Sequence, residues 1–166
     1  GPSSADGILL HETGVYVLET KDYDGWISGN PQEEYWVQTL WTGRYTSCQN
    51  YFYNPFLKLS GCIECMKKEL PDMKWLPYYS IAVFGGGCEL ENAGLSDGER
   101  KIIYLKQLSY TMYGMIRSSR KFLSRQVIDE IYDRLQGRET TETGLDKSPR
   151  LDYSKNRPDG RKAVSG

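Results

Sequence analysis

The stretch Asp6-Gly-Ile-Leu-Leu-His-Glu-Thr-Gly-Val-Tyr-Val-Leu-Glu-Thr-Lys21 decides how the rest of the chain is read. Its apolar residues fall at strand spacing on either side of His11-Glu12-Thr13-Gly14, which predicts two short antiparallel strands joined by a four-residue loop. If Leu10 faces Val15, then Ile8 faces Val17 and Asp6 faces Glu19, because paired positions in a hairpin sum to a constant. Opposed side chains lie about 4.5–5.5 Å apart at Cβ, and Lys21 shares the face of Glu19 because strand side chains repeat every second residue. Two carboxylates and an ammonium are therefore expected to converge at one end of the hairpin. One reading is an exposed ion cluster of little energetic weight. The other is a site for Mg²⁺ or Mn²⁺, with Asp6, Glu19 and the backbone carbonyl of Thr20 as hard oxygen ligands. A metal there polarises a phosphodiester and acidifies a bound water, and Lys21 orients the nucleophile or offsets charge building up on the phosphate.

The rest of the chain is consistent with a folded domain around this hairpin. At 166 residues it is long enough for one domain with a real core, and its 39% hydrophobic content and 21 aromatic residues argue against disorder. No apolar run approaches the roughly 20 residues needed to span a bilayer. Gly1-Pro2-Ser3 reads as the scar of a protease cleavage rather than a targeting signal. The net charge of −1 hides an asymmetry: residues 1–98 hold six Lys/Arg against thirteen Asp/Glu, and residues 99–166 hold fifteen against nine. An acidic part suits divalent cations and a basic part suits phosphates, although ordinary solvated surfaces would give the same counts. Four cysteines are few for a secreted disulfide scaffold, so an intracellular, reducing compartment, cytoplasmic or nuclear, is expected. Cys62-Ile-Glu-Cys65 has the spacing of half a zinc site, but on a helix the same spacing places small hydrophobes one turn apart.

Beyond the hairpin, Trp26-Ile27-Ser28 opens a third strand and Glu34–Trp41 forms another, while Gly43–Tyr53 reads as a polar, tyrosine-rich connection. Asn54-Pro55 starts a helix whose stripe of Phe56, Leu59, Ile63, Met66 and Leu70 ends at Pro71. Tyr78–Phe84 is short, apolar and closed by three glycines, as a buried strand is. From Ser96 the spacing of Ile102, Leu105, Leu108, Met112, Met115 and Ile116 predicts one helix, and a second runs from about Ser124 to Gln136 with Gly137 at its end. Between them Arg117, Arg120, Lys121 and Arg125 concentrate positive charge, either as phosphate contacts or as a solvated helix junction. Tyr45, Tyr51, Phe52 and Tyr53 either stack on bases or pack on their own domain. Lone His11 has no partner for triad chemistry and reads as a loop residue.

Asp6-Gly-Ile, then Gly14-Val-Tyr-Val-Leu-Glu-Thr-Lys21, Tyr23-Asp-Gly25, Trp36, Asn54-Pro55 and Ile81-Ala-Val-Phe84 form an ordered succession. Over residues 4–90 it resembles the nuclease-related (NERD) domain, a branch of the PD-(D/E)xK restriction-endonuclease-like superfamily. The resemblance implies an α/β fold, an α+β mixed sheet with a restriction-endonuclease-like core, followed here by extra C-terminal helices and an extended basic tail. It implies that Asp6, Glu19 and Lys21 fill the D…ExK positions of a Mg²⁺- or Mn²⁺-dependent DNA endonuclease. Two positions depart from the pattern, Lys58 where the family often has Gln and Cys62 where it often has His. Lys58 is expected to contact nucleic acid or to displace a metal. The superfamily core also usually opens with a helix before the Asp-bearing strand, whereas five residues precede Asp6 here.

The expected organisation is a nuclease-like core over residues 1–98 without that first helix, a helical extension over 99–137 packed on it, and an extended or flexible basic tail over 138–166. The expected function is metal-dependent hydrolysis of DNA, single-stranded and branched forms included, with no membrane association and with a protein partner or second copy as a further possibility. The alternative is a nuclease-like module that binds nucleic acid or protein without cutting, within a larger assembly.

Overall fold

A computed structural model of the chain describes residues 4–91 and 96–142, with side chains as far as Gly137. Strands β1 (Gly7–His11) and β2 (Gly14–Lys21) form the hairpin, with Ile8 opposite Val17 and Leu10 opposite Val15. The register puts Leu10 on the face of Val15 and Val17, and a slip of one residue would turn Leu10 away from that core. The loop is shorter than expected, because His11 and Gly14 pair and leave Glu12-Thr13 as a two-residue turn.

β2 continues into a mixed sheet of order β1-β2-β6-β8, in which β6 (Tyr78–Phe84) runs parallel to both β2 and β8 (Arg100–Tyr104). This confirms the mixed α/β architecture. The two central strands are continuous apolar runs because helices cover both faces of the sheet. On one face α1 (Pro55–Glu69) and α3 (Arg125–Glu142) enclose Val15, Val17, Leu59, Met66, Leu123 and Ile131. On the other, α2 (Leu108–Ser118) packs Met112 and Met115 against Tyr16, Ile81 and Val83.

A second sheet has the order β5-β4-β3-β7, formed by β3 (Gly25–Ser28), β4 (Tyr35–Trp41), β5 (Ser47–Tyr53) and β7 (Cys88–Leu90). Trp36 seals it to the first sheet, stacking on Phe84 at 6.4 Å and meeting Phe56 of α1 edge-on at 5.9 Å. At the entry to β3, Gly25 has φ 78°, and a Cβ there would run into the Thr39 carbonyl oxygen, so the strand start requires glycine.

Three expectations change. Ser47–Tyr53 is a strand and not an irregular connection, because its full length pairs antiparallel with β4. The helix expected from Ser96 begins only at Leu108: Arg100–Tyr104 is a strand, and Ile102 packs in the core beside Ala82 and Phe84. The first sheet thus takes its edge strand from beyond residue 98. Gly137 lies inside α3 rather than ending it. The segment 143–166, most of the expected basic tail, lies outside the described residues. Among the described residues no helix is long and apolar enough to cross a membrane.

Candidate active site

The parallel pairing of β2 with β6 carries Glu19 and Lys21 to the carboxyl end of the sheet, on the face that α1 covers. Glu19 is 1% exposed and sits beside Ala82 in the ladder. Its Oε1 accepts from Lys21 Nζ at 3.2 Å and from Lys58 Nζ at 2.7 Å. Its Oε2 is buried and has no hydrogen-bond partner among the described residues. A buried carboxylate oxygen in that state is costly unless a cation or water meets it.

Asp6 reaches the same end by a different route from simple cross-strand facing. The paired ladder stops at Gly7 opposite Leu18, and the Asp6 N–H donates to the Leu18 carbonyl at 3.0 Å. The Asp6 carboxylate then accepts from the Thr20 backbone N–H at 2.8 Å and the Thr20 hydroxyl at 3.0 Å. It thereby satisfies the first donor that β1 leaves unpaired. The Thr20 bonds, with help from the Lys58 charge and contact with Glu19, outweigh partial burial and hold the Asp6 carboxyl below its ordinary range. Because a strand residue's N–H and C=O leave on the same side, the Thr20 carbonyl also faces the edge that β1 has vacated.

Lys58 is positioned by the start of α1. Asn54 is fully buried; its Oδ1 accepts from the Phe56 N–H at 2.9 Å, and its Nδ2 donates to the carbonyls of Pro31 and Glu33 at 3.0 and 2.8 Å. One side chain therefore caps the helix and ties it to the loop before β4. Lys58 stands one turn into the helix, on the side that meets Glu19. Expected to contact nucleic acid or to displace a metal, it stands closer to Glu19 Oε1 than Lys21 does. The signal available in the sequence was the spacing of four from the Asn54 cap.

The other basic residues lie elsewhere. Lys121 pairs with Glu12 at 3.3 Å, at the turn of the hairpin and so at the opposite end from Asp6. The Phe122 and Leu123 N–H groups donate to the Glu12 carbonyl there, each at 3.0 Å. Arg120 and Arg125 are exposed beside this junction, and Arg117 lines a cleft of about 510 Å³ between α2 and β8 with Lys101, Tyr110 and Tyr113. None of the four is brought to the carboxylates.

The groups here that could hold a metal are all oxygens: the Asp6 carboxylate, Glu19 Oε2 and the Thr20 carbonyl. That chemistry suits Mg²⁺ or Mn²⁺, which prefer oxygen and retain several waters. Among the described residues no three His, Cys, Asp or Glu side chains gather around one point, so two carboxylates are the acidic complement. Cys62 is buried among the core hydrophobes around α1, and none of the four cysteines is in a disulfide.

Residues 1–85, just over half of the chain, match the nuclease-related domain family, NERD. The chain belongs to this family. The match takes in Asp6, Glu19, Lys21 and Lys58 together with β1 to β6 and α1. An uncharacterized protein of Bacillus anthracis is 30% identical over 103 residues, which are 62% of this chain and 45% of that protein. The chain spans less than half the length of this relative. No solved structure matches it at significance. Membership of the NERD family indicates a nuclease-related function in general terms.

Proposed function

We propose that this NERD domain hydrolyses phosphodiester bonds in DNA with Mg²⁺ or Mn²⁺ as cofactor, using Asp6, Glu19 and Lys21. The observation that carries the reading is the orphaned Glu19 Oε2, which lies in a site shared with the Asp6 carboxylate. Asp6, Glu19 and the Thr20 carbonyl would hold the metal, which supplies Lewis-acid polarisation of the phosphodiester and a more acidic bound water. Thr20 fixes the Asp6 carboxylate with two hydrogen bonds, so that ligand is oriented before any ion arrives. Lys21 is one-quarter exposed and anchored on Glu19, which leaves its ammonium able to face both the buried carboxylate and a phosphate approaching from solvent. Arg120, Lys121 and Arg125 at the turn of the hairpin, and Arg117 in the cleft between α2 and β8, would add phosphate contacts away from the cutting site.

One observation favours a second reading. Lys58 already sits 2.7 Å from Glu19, so the carboxylate has a cation without any metal. On that reading the domain binds nucleic acid or a protein partner within a larger assembly and does not cut.

The deciding experiment incubates plasmid, branched and single-stranded DNA with the chain in Mg²⁺ or Mn²⁺ and compares it with Lys21→Ala. Cleavage by the wild type that the variant loses supports the nuclease. Equal cleavage by both, or binding with no cleavage by either, favours the second reading.

A further inference from the structure

Resting on the nuclease reading, we infer that Lys58 is a built-in cation that takes the place of a second metal, so the site admits one divalent ion. Both lysines converge on the same oxygen of Glu19, at 2.7 and 3.2 Å, and leave only Oε2 for a metal. A two-metal site sets its ions about 3.5–4 Å apart and needs carboxylate oxygens for both. Here Glu19 alone already faces two ammonium groups. One divalent ion leaves the cluster with a modest positive charge that an incoming phosphodiester offsets, whereas two leave it strongly positive.

Lys58 is held at its base. Its side chain is about one-quarter exposed (27%), its backbone N–H donates to the Asn54 carbonyl at 3.2 Å, and the buried Asn54 cap fixes that turn of α1. Its charge also acts on Asp6, so it serves both carboxylates. The departure from the family pattern at this position therefore sets metal stoichiometry and affinity rather than nucleic-acid contact.

The test is calorimetric titration of Mn²⁺ into the full chain, with bound Mn²⁺ counted independently by electron paramagnetic resonance. Wild type is expected to take one ion. Lys58→Met, of similar length and no charge, is expected to take a second ion or to bind the first at least about tenfold more tightly. Lys58→Arg, which keeps the charge, is expected to behave as wild type does. Two ions on the wild type overturn the inference even if Lys58→Met does not fold. Unchanged stoichiometry and affinity in a folded Lys58→Met also overturn it. Metal-dependent cleavage alongside either of these results leaves the nuclease reading standing; no ion on any variant and no cleavage sink both.

Discussion

Lys58 Nζ lies 2.7 Å from Glu19 Oε1, a contact that joins the first turn of α1 to the carboxyl end of β2 across 39 residues of sequence. Glu19 is otherwise sealed from solvent, so the ion pair sits where screening is weak and losing one partner matters.

If Lys21 faces the reacting phosphate and Lys58 stays on Glu19, the two lysines separate by phenotype. Lys21→Ala should lower the cleavage rate by about 10²–10³ and lower the melting temperature by less than Lys58→Ala does, because Lys21 stands 3.2 Å from Glu19 Oε1 and Lys58 2.7 Å. Lys58→Ala should lower the melting temperature, because it leaves Glu19 with one cation. Parallel single-turnover cleavage and thermal melts check both.

Asn54 holds the helix start through three side-chain hydrogen bonds, two of them from its Nδ2. Asn54→Ala should destabilise the fold by about 2–4 kcal/mol, a lost cap together with the part-buried bonds to the Pro31 and Glu33 carbonyls. Denaturant unfolding gives the number.

Helix α3 belongs to the same core as the hairpin, since Ile131 is fully buried against the group that includes Val15, Val17 and Leu59. Ile131→Ala should cost about 2–5 kcal/mol, and unfolding should remain one cooperative transition. Coincident fluorescence and circular dichroism curves test this.

The Tyr78 hydroxyl is buried without a hydrogen-bond partner among the described residues, and burial pushes its pKa up from 10.0 to about 12. A pKa raised on folding gives stability that is complete below 10 and is lost as pH rises from 10 through about 12. Tyr78→Phe should therefore be neutral or stabilising at pH 7 and should flatten the alkaline fall in melting temperature. A pH series of melts on both proteins decides it.

Asp6 has the opposite sign. Its pKa is depressed below 3.8, so its contribution is present above that value and fades as pH falls through the lower, folded value. Asp6→Asn should lose stability at neutral pH and show a shallower acid limb.

The hairpin was legible because alternation fixes register once one face is buried, and Leu10, Val15 and Val17 had no other arrangement that kept them inside. The shared face of Glu19 and Lys21 followed from strand alternation, but the Thr20 bonds that hold Asp6 did not, because they depend on where β1 stops pairing. Arg100–Tyr104 was misread because Ile102 and Leu105 continue the three- and four-residue spacing of α2; only the neighbouring β6 makes the segment a strand. Ser47–Tyr53 was misread because its outer face is polar and aromatic, with little buried apolar signal. Lys58 could be placed on a helix from sequence, but its partner is set by tertiary packing, which local spacing does not encode.

The most direct measurement is the rate of supercoiled plasmid cleavage by wild type and by Glu19→Gln, each with Mn²⁺ and with excess chelator. The account predicts cleavage only by wild type with Mn²⁺. Cleavage that persists in the chelator or in Glu19→Gln would contradict it, as would DNA binding by wild type with no cleavage under any condition.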